Sequence, residues 1–72
     1  MEAQTFHFER YDLVCSARAC DNGMFRAGLV ISKSVWPSRP RTIDVRPDPH
    51  PTAEVAIKSA YDQGLEWVRN FG

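Results

Sequence analysis

The devices that staple very small proteins are scarce in this chain of 72 residues. It has two cysteines, Cys15 and Cys20, and two histidines, His7 and His50. A structural zinc site takes four converging ligands, and the two histidines are far apart in sequence, so no metal is expected. There is no Cys-x-x-Cys. If both cysteines lie on one strand, their odd separation sends the side chains to opposite faces, which excludes a bond between them. Both read as small thiols, buried or half-buried, in a reducing cytosol.

Long apolar runs are missing as well. The first ten residues, MEAQTFHFER, are charged and hold no run of seven apolar residues, so they do not read as a signal peptide. No stretch approaches the roughly twenty apolar residues that span a bilayer. The expectation is a soluble, cytoplasmic protein without a membrane partner. An excess of one charge is missing too: nine basic residues face nine acidic ones. Bulk charge therefore does not indicate a nucleic-acid binder, although a local patch is compatible with it. Catalytic signatures are also lacking. No Gly-x-Ser-x-Gly elbow, Gly-rich phosphate loop or His-Glu-x-x-His occurs. The chain reads as non-enzymatic, with no cofactor. A core of this size rarely supplies more than roughly 3–5 kcal/mol of net stability. Without a metal or a disulfide, self-association is the remaining source, so a homodimer or a small protein partner is expected.

What is present is a strand-rich half, a proline-rich connector and a helix, in one domain. The hairpin covers about 5–35, the connector with a short third strand 36–51, and the helix about 52–70. From Tyr11 to Ala19 the odd positions are Tyr, Leu, Cys, Ala and Ala, and from Phe25 to Ile31 they are Phe, Ala, Leu and Ile. Both are period-two strand patterns with odd residues toward the core. A two-residue turn at Asn22-Gly23 would pair Cys15 with Val30 and set a core face against an outer face. A three-residue turn, Asp21-Asn22-Gly23, instead pairs Ala19 with Phe25, Ala17 with Ala27, Cys15 with Leu29 and Leu13 with Ile31. Gly23 then occupies the position that needs a left-handed backbone. The three-residue turn is the one predicted.

Phe6 and Phe8 are out of phase with Tyr11 onward, and a β-bulge or short bend near Glu9-Arg10 would restore the phase. All five prolines fall between Trp36 and Thr52. Within this stretch RTIDVR (41–46) reads as the third strand, with Ile43 and Val45 inward. RPDPHP (46–51) reads as a loop that turns the chain toward the helix rather than as a polyproline ligand. His50 in this loop has helix-start packing or simple exposure as its role. Thr52 is a good N-cap and Glu54 suits the first turn. Ala56, Ile57, Ala60, Tyr61, Gly64, Leu65 and Val68 belong to a broad apolar stripe. Glu54–Lys58 and Lys58–Asp62 are favourable pairs on the solvated side. Gly64 costs about 1 kcal/mol in mid-helix. The expected reason is that Ala56, Ala60 and Gly64 form a smooth strip crossing the hairpin at Ala17 and Ala27, with Phe25, Leu29, Ile57 and Val68 at the margins.

The order β-β-β-α, the hairpin Asp21-Asn22-Gly23-x-Phe25 and the helix start Thr52-x-Glu54-x-Ala56 resemble small HicB-type antitoxin domains of bacteria. The resemblance spans roughly residues 11–68. The family's P-D-L-P-G segment is replaced here by SKSVWPSRPR. The likeness implies an α+β fold in which a three-stranded antiparallel sheet carries one C-terminal helix on one face. It also implies pairing through sheets or edges, and an antitoxin-like regulatory role.

With the register fixed, the open sheet face carries Arg10, Asp12, Val14, Ser16 and Arg18, then Arg26, Gly28, Val30, Ser32, Ser34 and Trp36. Thr42, Asp44 and Arg46 complete it. Arg18 faces Arg26, an unfavourable arrangement unless Asp44, Asp12, a partner or an anion lies between them. An apolar centre of Val14 and Val30, ringed by Arg10, Arg18, Arg26 and Arg46, has the anatomy of a protein interface. The leading expectation is self-association or protein binding through this face or a strand edge. The alternative is single-stranded nucleic acid or a small anion, with the arginines on phosphates and Trp36 stacking on a base. His7 near Glu9 reads as an edge pair, without a nucleophile nearby.

Overall fold

The structure is a computed structural model that describes residues 2–37, 39–46 and 49–71. Pro47 and Asp48, within the expected loop 46–51, lie outside the described residues. Four strands precede one helix: β1 (Glu2–Phe8), β2 (Tyr11–Ala19), β3 (Phe25–Lys33), β4 (Arg41–Ile43) and α1 (Ala53–Phe71). The strands form one antiparallel sheet in the order β1-β2-β3-β4. The α+β class and the C-terminal helix on one sheet face are as the sequence implied, with a fourth strand added.

The central hairpin has the expected register. Ala19 pairs with Phe25, Ala17 with Ala27, Cys15 with Leu29 and Leu13 with Ile31. The Cys20 N–H donates to the Met24 carbonyl at 2.8 Å, which closes the three-residue turn. Asn22 Oδ1 accepts from the Met24 N–H at 3.1 Å, and Gly23 has φ = +78°. A Cβ added at Gly23 would meet nothing within 4 Å, so substitution there is opposed by the backbone alone. Gly23→Ala should therefore cost about 1–2 kcal/mol in urea melts, and Gly23→Asn less. Equal stability of the three proteins would show that the turn has no need of a left-handed residue.

In place of the bulge or short bend expected near Glu9-Arg10 there is a full turn. The chain reverses there, and β1 pairs along its length with β2, from Phe8↔Tyr11 to Glu2↔Ala17. A two-residue turn pairs even positions with odd ones, which is why Phe6 and Phe8 share a face with Leu13 and Tyr11 despite the parity break. Glu9 takes the left-handed conformation that this reversal needs, with φ = 56°. A full ladder with β2 satisfies more main-chain groups than a bulge in one long strand would, and so it prevails.

The core lies between the helix and the odd-numbered face of β2 and β3. Leu13, Cys15, Ala17, Leu29 and Ile31 are buried there, beneath Ala56, Ile57, Ala60 and Val68 of α1. Thr52 caps the helix, its Oγ1 accepting from the Val55 N–H at 3.1 Å. Ala17 and Ala27 belong to the core side, as expected. Gly64, however, sits over Leu13 and Leu29: an added Cβ would meet Leu13 Cδ1 at 3.1 Å and Leu29 Cδ1 at 3.3 Å. The missing side chain leaves room for two large leucines. At the sheet margins Phe6 packs on Tyr61 with ring centroids 4.6 Å apart, and Tyr11 meets Trp67 edge-on at 5.9 Å.

The connector is tied back to β3. His50 and Phe25 exchange reciprocal main-chain hydrogen bonds of 2.7 Å, and the His50 side chain is buried. Of its two expected roles, packing at the start of the helix is the one found. The third strand of the sequence reading shortens to Arg41–Ile43, while Val45 is still buried beyond its end.

Candidate interaction surfaces

The helix covers one side of the sheet, and the other carries no helix. Its middle is a row of β-branched residues that crosses all four strands. Thr5 pairs with Val14, Val14 with Val30 and Val30 with Thr42. Successive residues in such a row are about 4.8 Å apart in the direction of the ladder, so their methyl groups form one continuous band. Ala3, Ser16 and Gly28 run beside it, and His7, Asp12 and Ser32 flank it on the other side. Val14 and Val30, both candidates from the sequence, are therefore neighbours at the centre.

The arginines do not form a ring around that centre. Arg18 is directly opposite Arg26 at the Gly23 end of the hairpin. Arg46 lies beyond β4, and it lines a groove with Arg26, Thr42 and Asp44. Arg10 is not on β2 but in the turn before it, and its carbonyl accepts from the Ser34 N–H at 2.8 Å and the Ser34 hydroxyl at 3.0 Å. Eight residues of extended chain separate Arg10 from Arg18, about 27 Å. Three arginines thus gather at one end of the sheet, and the fourth lies at the other. Trp36 is placed outside the sheet altogether, in the bend after β3, where it is 92% exposed.

The like-charged pair Arg18–Arg26 has a partial internal answer, because Arg26 is engaged within the chain. Asp12, one of the two carboxylates expected to help, lies six residues along β2, about 20 Å away. It contacts Nδ1 of its cross-strand partner His7 instead. The expected His7–Glu9 pair is corrected accordingly: Glu9 sits in the turn, and the face of His7 is shared by Asp12. Asp44 remains near, since it lines the groove of Arg26 and Arg46.

Cys15 is fully buried, and burial pushes its thiol up to about 11. The thiolate is the reactive form, so this sulfur is inert near neutral pH. Both cysteines are free. No helix among the described residues is long and apolar enough to cross a membrane. Of the solvated helix pairs, Lys58–Asp62 is formed at 3.9 Å between two exposed side chains.

Comparison with known proteins adds no relative: the chain matches no family model, no curated protein and no solved structure. The surfaces must be read from their own chemistry.

Two surfaces escaped the sequence reading. One is the outer edge of β1, hidden because EAQTFHF has only two large apolar residues and is followed by Glu9-Arg10, a pair without a turn signature. The parity break between Phe8 and Tyr11 was its only trace. The other is a groove at the far end from Gly23, where Lys33, Arg39 and Arg41 line the same wall as Tyr11, Trp67 and Phe71. Arg41 stands over the Trp67 ring at 5.9 Å, and Phe71 is 73% exposed. These residues come from four separate stretches, so no local pattern could have assembled them.

Proposed function

We propose that the protein is a non-enzymatic binding module that associates with itself, using the bare side of its sheet or a strand edge. One observation carries this reading. The band Thr5–Val14–Val30–Thr42 runs across the helix-free face from one edge strand, β4, to the other, β1, which has no further strand beside it among the described residues. A β-branched band and an open edge are the two features by which sheets recognise other sheets. A single layer of helix on a small sheet also leaves the core thin, and association supplies the second layer or the further strands. A cytoplasmic homodimer with an antitoxin-like regulatory role is one use of such a module.

Sedimentation equilibrium at tens of micromolar should give about twice the chain mass of 8.2 kDa. A monomer up to the highest soluble concentration removes the self-association reading.

A second reading, single-stranded nucleic acid, is favoured by the groove at the end of the sheet rather than by the arginines on the open face. Lys33, Arg39 and Arg41 supply cations for phosphates, and the exposed Phe71 offers a ring to a base. On this reading Arg39→Ala/Arg41→Ala weakens binding of a short oligothymidine several-fold and flattens its salt dependence, whereas Arg18→Ala/Arg26→Ala leaves both unchanged. No shift of Trp fluorescence or amide signals with the oligonucleotide at low salt would end it.

A further inference from the structure

The phase of the hydrogen-bond ladder can be followed from the Gly23 turn to the outer edge. Cys20 and Met24 are a hydrogen-bonded pair, and such pairs alternate along an antiparallel ladder. Arg18↔Arg26, Ser16↔Gly28 and Val14↔Val30 are then bonded pairs, so even residues of β2 aim their main-chain groups at β3. Odd residues of β2 aim theirs at β1. The reciprocal Phe25–His50 bonds fit the same phase, since an odd residue of β3 points away from β2. On β1, the residues that bond to β2 are Glu2, Gln4, Phe6 and Phe8. The N–H and C=O groups of Ala3, Thr5 and His7 are turned outward, and β1 is one of the two edges of the sheet, the longer one, since β4 has three residues.

Edge strands are normally protected by proline, lysine, a bulge or brevity. The seven residues of β1 contain no proline and no lysine, and all seven are paired without interruption to β2. The His7 ring does not guard the edge either, because it is held against Asp12 on the sheet face.

We infer that two copies of the chain join through the outer edges of β1, antiparallel about a two-fold axis at Thr5, an inference that rests on the self-association proposed above. In this register Ala3 meets His7 of the second copy and Thr5 meets Thr5. All three outward residues are satisfied from within the strand. Displacing the axis by one or two residues sets at least one of the three against a residue outside Glu2–Phe8. On the helix side Gln4 falls opposite Phe6 and Glu2 opposite Phe8, so no like charges face each other. On the bare side the Thr5 pair joins the two β-branched bands into one, continuous across eight strands from Thr42 to Thr42. The contact is isologous, one patch meeting itself, as a two-fold dimer requires.

Cysteine cross-linking reads the register directly, in a Cys20→Ser background that leaves only the buried Cys15. Opposed Cα atoms of a bonded pair are about 5.5 Å apart, within disulfide reach. Thr5→Cys should form a covalent dimer under mild oxidation. Ala3→Cys should not, because the two copies of residue 3 lie about 14 Å apart along the strands. Ala3→Cys/His7→Cys should cross-link again. Circular dichroism and mass under reducing conditions check that each variant is folded and associated. A dimer in which Ala3→Cys cross-links and Thr5→Cys does not overturns the register. A dimer in which none of them cross-links overturns the edge contact and leaves self-association standing, while a monomeric protein removes both.

Discussion

Leu13→Ala should lower stability by about 3–5 kcal/mol, enough to leave a domain of this size largely unfolded at room temperature. Leu13 is fully buried, at 0% exposure, in the middle of β2. Phe6 is its partner on one side, Ile31 is its partner on the other, and Gly64 of the helix lies above. Three elements therefore share one side chain, and none of them can collapse into the space without dragging a strand or the helix. Chemical melts at one fixed protein concentration measure this loss without mixing in association. A change below about 1 kcal/mol would show that the core is centred elsewhere.

Gly64→Leu is expected to cost about 2–3 kcal/mol, although leucine is the better helix former by most of a kcal/mol. The first atom of the new side chain already meets Leu13 Cδ1 at 3.1 Å and Leu29 Cδ1 at 3.3 Å. Both leucines are among the largest fully buried side chains, so neither has solvent to swing into. The remaining three carbons would force the helix off the sheet. The two substitutions should not add. In Leu13→Ala/Gly64→Leu the new leucine points at the space left by the old one. The double variant should then be more stable than the sum of the singles predicts by at least about 1 kcal/mol. Simple additivity would mean that helix and sheet do not meet at these two positions.

These two positions also separate what was legible in the chain from what was not. Gly64 announces itself as an oddity in a helical stripe, and a close approach follows from helix propensity alone. Which residues it approaches does not follow, because the crossing point depends on where the helix comes to rest. The Tyr11–Ala19 and Phe25–Ile31 patterns fixed their own register, since any slip of one residue turns a buried set outward. The open face followed from that register, with Val14, Arg18, Arg26 and Val30 where parity puts them. Arg10 and Trp36 did not follow. Parity holds only while a strand continues, and β2 begins at Tyr11 while β3 ends at Lys33.

Local physics written in the chain thus settles the central hairpin, its glycine turn, the capped helix and the side of the sheet that each residue takes. All of these depend on contacts between near neighbours and on a two- or three-to-four-residue period. Tertiary structure alone decided that the N-terminal residues reverse into a fourth strand and that this strand, β1, lies at an edge of the sheet among the described residues. It also decided that Lys33, Arg39 and Arg41 meet Trp67 and Phe71. Main-chain hydrogen bonds are the same for every residue type, so a strand with few apolar side chains leaves almost no mark in the sequence until a neighbour is there to pair with it.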